Sequence, residues 1–147
     1  MTVRGPMRCM ARPDVEVLRG YPGSPITVPI LAIQPMSIAV QQVGLNATVL
    51  RVCGEVDLLT APMLQAEVDK QLMLPRLIVV IDLSGTTFFG VSGVAVLLEI
   101  RDQVAHTATS LRLVQRSRAA AKPLELLHLS GLFLTYNHLR HPRCLNE

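Results

Sequence analysis

The chain has 147 residues, half of them apolar, and a net charge of +3, which suits one domain with a real core plus extensions. Trp is absent and aromatic residues make up 3 %, so the core must be aliphatic and stacking on nucleic-acid bases has little to work with. The charge is diffuse, without a basic stripe, which argues against nucleic acid as a partner.

Residues 1–35 read as a Pro-rich, flexible N-terminal extension. Prolines recur, periodicity is absent and Tyr21 to Pro25 is turn-rich. The other reading is an ordered peptide docked on the domain. The first residues lack an apolar h-region, so no secretory signal is expected. No charge occurs from Gly20 to Leu50, yet Pro22, Pro25, Pro29 and Pro35 break that stretch. Its longest apolar run falls far short of the about 20 residues that span a bilayer, so membrane insertion is not expected.

Alternation begins at Met36. Residues 38–40 form a first strand, 44–46 a turn and 48–54 a second strand, together an antiparallel hairpin. Thr60 stands where a cap would open a helix over 61–74. Pro62 falls in its first turn, Leu64, Val68 and Leu72 recur at helical spacing, and Pro75 closes it. The unbroken apolar run at 77–81 predicts a central strand covered on both faces. A polar loop with Ser84, Thr86 and Thr87 follows, and Phe88 or Phe89 anchors it in the core. A helix over 92–107 comes next, then a strand at 110–114. A helix over about 120–129 ends at Ser130-Gly131, and a short edge strand spans 132–136. This order predicts an α/β domain over 36–140, with a mixed sheet of four to five strands flanked by three to four helices. Residues 141–147 form a C-terminal tail.

Cys9, Cys53 and Cys144 are odd in number, with no C-x-x-C and no metal-ligand spacing. They fit a reduced, cytoplasmic chain with an inert core thiol at Cys53. No metal and no cofactor are expected.

Two constellations draw notice. Gly54-Glu55-Val56-Asp57 ends a strand and leads into Thr60. It is either a pair of carboxylates beside a binding surface or turn chemistry, with Gly at positive φ and Asp57 as a local acceptor. Gly90-Val91-Ser92-Gly93 lies between strand and helix but departs from the G-x-S-x-G nucleophile elbow, since Val94 stands where the last Gly belongs. A helix-capping Ser92 is the plainer reading. His106, His128, His138 and His141 have no catalytic context, and no Gly-rich phosphate loop is present.

Taken together, the motifs resemble the STAS domain of bacterial anti-sigma factor antagonists and of sulphate transporters' cytoplasmic ends. Gly54-Glu55-Val56-Asp57 with Thr60-Ala61 resembles the family's G-E-[LV]-D-x-x-T-A. The segment from Ile81 to Gly93 resembles I-D-L-S-x-x-x-F-x-D-S-S-G, and Leu129-Ser130-Gly131-Leu132 resembles [ML]-[ST]-G-L. The resemblance implies a non-enzymatic regulator that binds an anti-sigma factor, a histidine-kinase-like ATPase, and so releases a sigma factor. It places Gly54, Glu55, Asp57, Thr60, Gly90, Val91, Ser92 and Gly93 at the partner surface. In the family the kinase phosphorylates the first Ser of D-S-S-G, and the added charge breaks the complex. Here Gly90 replaces the Asp and Val91 replaces that Ser, so the usual phospho-acceptor is missing; Ser92 is the one displaced candidate. Two rival readings are a STAS subunit of a transport or other signalling complex and an enzyme that uses Ser92. The oligomeric state is left open.

Overall fold

The computed structural model describes residues 35–137. Five strands form one sheet in the order β1-β2-β3-β4-β5. They are β1 (Met36–Val43), β2 (Ala47–Val56), β3 (Ile78–Phe89), β4 (Ser110–Val114) and β5 (Leu134–Tyr136). β1 and β2 make the expected antiparallel hairpin, and every later pairing is parallel. Three helices supply the crossovers: α1 (Ala61–Leu72), α2 (Val91–Val104) and α3 (Arg118–Leu126). A 3₁₀ turn (Ser130–Leu132) precedes β5.

Each parallel crossover steps one strand in the same direction. Because such connections are right-handed, all three helices are placed on one face of the sheet. The core follows from that. Leu64 and Val68 of α1, Val94, Leu97 and Ile100 of α2, and Ala120 and Leu124 of α3 share a single apolar cluster with Leu50, Val52, Ile81, Leu83 and Leu113 of the strands. The run at 77–81 is central as expected, with β2 on one side and β4 on the other.

Five expectations need correction. The polar loop after Asp82 is strand: β3 continues to Phe89 and stays paired to β2. Register shifts between Arg51 and Cys53 and between Gly54 and Glu55 absorb the mismatch. The hydroxyls there are largely strand side chains. Thr86 is buried and donates to the Leu83 carbonyl at 2.7 Å, whereas Ser84 and Thr87 are exposed.

Ser92 is not a cap. α2 starts at Val91 with Gly90 at the N-cap, so Ser92 falls inside the first turn. α3 starts earlier than about 120, because Ser117 caps it: its Oγ accepts from the Ala119 amide at 3.2 Å and donates to the Thr86 carbonyl at 2.7 Å. Pro123 therefore lies inside the helix. α3 ends at Leu126, not at Ser130-Gly131. His128 takes a left-handed turn (φ 56°), and the Leu129 amide reaches back to the Leu124 carbonyl at 2.8 Å.

Cys53 is buried, but it is disulfide-bonded, so neither the free core thiol nor the reduced chain expected from the cysteines is found. The expectations for residues 1–34, for His138 and His141, and for the tail at 141–147 lie outside the described residues.

Candidate functional site

Parallel strands bring their C-terminal ends to one edge, and the loops that leave them there sit side by side. β2 and β3 are hydrogen-bonded neighbours, with Val56 opposite Phe89. The turn at 57–60 and the turn at 90–93 therefore meet. The Gly90 amide donates to the Val56 carbonyl at 2.8 Å and fastens them together. Six of the eight residues that the sequence singles out occupy or adjoin these two turns. Gly54 and Glu55 lie just before them on β2.

The first turn is built around Asp57. Its Oδ1 accepts from the Leu59 amide at 3.0 Å, the Thr60 amide at 3.0 Å and the Thr60 hydroxyl at 3.1 Å. The Thr60 Oγ1 in turn accepts from the Asp57 amide at 2.9 Å and lies 2.8 Å from the Glu55 carbonyl. The Asp57 carboxyl is held below the usual carboxylate range, first by the Thr60 amide and further by the Thr60 hydroxyl and the Leu59 amide, against an opposing effect of burial. Asp57 and Thr60 thus shape the turn that opens α1. Thr60 sits at the N-cap but bonds backward, so the helix is opened by the Asp57 turn and by Pro62 in its first turn. Glu55 projects into solvent.

Two glycines are fixed by space. Gly54 has φ +96°, and a Cβ there would collide with the Pro35 carbonyl oxygen. That carbonyl also accepts from the Glu55 amide, at 2.6 Å. At Gly93 a Cβ would lie 2.9 Å from Phe89 Cζ and 2.9 Å from Val56 Cγ1, so only Gly lets α2 settle this close to the strands.

Val91 and Ser92 diverge. Val91 is the first residue of α2 and is 76 % exposed, while Ser92 is half-buried behind it. Beside Val91, Phe88 is 51 % exposed, whereas Phe89 is buried in the core. One of the two phenylalanines anchors this end of the sheet, as the sequence suggests, and the other faces outward. Phe88, Gly90 and Val91 form one wall of an open apolar groove of about 480 Å³. Its other wall is α3, with Leu126 along it and Arg118 and Lys122 exposed beside it.

Sequence reasoning missed this second wall. The available signal was an excess of leucines: Leu124, Leu126 and Leu127 are close together on a short helix, and only Leu124 is buried. Among the described residues no group of three metal-ligating side chains is assembled. Among them no helix is long and apolar enough to cross a membrane.

Comparison with known proteins places this geometry. A family model described as the STAS domain matches residues 37–141. Among solved structures, an anti-sigma factor antagonist from Mycobacterium paratuberculosis aligns with a TM-score of 0.65 and 27 % identity, over 71 % of this chain and 87 % of that one. The anti-sigma factor antagonist SpoIIAA in its unphosphorylated form aligns at 0.60 and 16 % identity, over 69 % of this chain and 90 % of its own. The phosphorylated form of the Bacillus cell fate determinant SpoIIAA aligns at 0.56 and 16 % identity, over 69 % and 93 %. At 16 % identity these last two share the fold. No curated protein matches the chain. With the family model covering most of its length and the mixed sheet arranged as in these structures, the chain belongs to the STAS domain family.

Proposed function

We propose that this chain is a non-enzymatic regulator that docks on an anti-sigma factor and so frees a sigma factor, and that it lacks the phosphorylation switch at the usual position. The observation that carries the reading is Val91, exposed at the start of α2 between Phe88 and the α3 groove. Position 91 is where the family motif carries its phospho-acceptor, and Val has no hydroxyl to phosphorylate. An exposed apolar rim of Phe88, Val91 and Leu126 supports docking on a protein partner, since contiguous apolar surface of this kind marks interaction sites. The likeness to anti-sigma factor antagonists supports the class of partner. In this reading the partner is a histidine-kinase-like ATPase, and the protein acts in the cytoplasm.

The test uses the purified chain with the anti-sigma factors of its own organism. Titration calorimetry should give a saturable complex, and sigma-dependent transcription should rise when the chain is added. With ATP present, intact mass should stay unchanged. Absence of a complex with every such factor would overturn the partner. A stoichiometric phosphate on Ser92, Ser84 or Thr87 would overturn the missing switch while leaving the partner in place.

A further inference from the structure

The helices account for only one face of the sheet. On the opposite face, Ala47 and Val49 of β2, Ile78 and Val80 of β3, and Val114 of β4 form a second apolar cluster, with Val43 and Tyr136 packed against it. No residue of α1, α2 or α3 belongs to this cluster, as the shared handedness of the crossovers requires. Yet Val49, Val80 and Val114 are each 0 % exposed, and Arg51 and Arg112 on the same face are buried as well. A sheet face open to solvent is patterned polar, whereas a parallel sheet buried on both sides carries apolar residues on both. This face has the chemistry and the burial of a covered one, and none of the described helices covers it.

We propose that the cover is the N-terminal segment, residues 1–34, laid across the second face of the sheet with its uncharged stretch at 26–33 over Val49, Val80 and Val114. Two observations choose this occupant. The first is length and point of entry: 34 residues precede Pro35, whose carbonyl is hydrogen-bonded at the β1–β2 edge. Crossing from β1 to β4 takes three strand spacings, roughly 14 Å, which about five extended residues can span.

The second is composition. Ile26, Val28, Ile30, Leu31 and Ile33 offer an apolar surface without charge. The alternative, residues 138–147, offers only Leu139 and Leu145 as aliphatic side chains.

Cys53 lies on this face as well and is disulfide-bonded; since Cys9 and Cys144 each fall in an outer segment, the bond speaks for an outer segment here without choosing between the two. The inference concerns the stability of the domain and does not depend on the partner reading above.

The experiment is methyl NMR on the full chain with Ile, Leu and Val labelled. Nuclear Overhauser contacts from the methyls of Val49, Val80 and Val114 to those of Ile26, Val28, Ile30, Leu31 or Ile33 are expected. Contacts only to Leu139 or Leu145 would assign the cover to the C-terminal tail and overturn the proposal. Contacts between copies in a mixed-label sample would assign it to a second molecule, and no contact beyond the sheet would leave the face uncovered; either overturns it too. As a second readout, Ile30→Glu in the full chain should lower the urea midpoint, while Leu139→Glu should not. An unchanged midpoint for Ile30→Glu would count against the segment.

Discussion

Gly90 donates its amide to the carbonyl of Val56 at 2.8 Å, and this bond joins the end of β2 to the start of α2. The Asp57 turn and the Val91 turn are therefore one surface. A partner that reads one of them meets the other in fixed register.

Val91→Glu should weaken partner binding about ten- to a hundred-fold, by replacing an apolar contact with a carboxylate that must be desolvated on docking. Because Val91 is exposed, the melting temperature should stay unchanged. Calorimetric titration against the anti-sigma factor, beside a thermal melt, separates the two effects.

Val91→Ser should regain phosphorylation by the cognate kinase only in part, since Gly90 supplies no carboxylate beside the new hydroxyl. Intact mass after incubation with ATP reads the outcome. The double change Gly90→Asp with Val91→Ser should raise the phosphorylated fraction further. A Cβ at position 90 would come within 3.1 Å of the Phe88 ring, whose far edge is free to move outward.

Gly93→Ala should destabilise the domain by about 1–3 kcal/mol, because the added methyl has no room between Phe89 and Val56. Gly54→Ala should cost at least as much, since it adds left-handed backbone strain to the collision with Pro35. Chemical denaturation measures both. A neutral result at Gly93 would mean that α2 can retreat from the strands.

Asp57 carries a prediction about pH. Its carboxyl is lowered in the folded chain, so its stabilising contribution is present above the ordinary carboxylate pKa and is lost as pH falls through the lowered folded value. Asp57→Asn keeps an acceptor for the Leu59 and Thr60 amides but cannot titrate. The variant should show a shallower loss of stability in acid than the parent, read as urea midpoints at a series of pH values below neutrality.

Most of the fold was legible because its signals are local. The hairpin follows from alternation across a Gly-containing turn, the strand at 110–114 has the bounds expected of it, and the run at 77–81 is central because it is apolar on both faces. The stretch from Asp82 to Phe89 misled because its polar residues look like loop. Its strand character comes from pairing with β2 across two register shifts, which no local pattern encodes. The end of α3 misled for a similar reason: the left-handed turn falls on His128, while Gly131 is the residue that invites it. At the site, the glycines and the Asp57 turn could be read from residue type. The groove could not, since it exists only because the Ser117 cap hangs the start of α3 beside β3.

Val91 has one more consequence. A side chain as exposed as this one contributes little to folding, so selection on stability guards that codon only weakly. On the proposed reading, the fold and its responsiveness to a kinase are then inherited separately. A lineage can lose the switch, or regain it, through one or two substitutions without repacking a single core residue. Descendants of one scaffold can thus diverge into regulated and constitutive forms while remaining indistinguishable in their interiors.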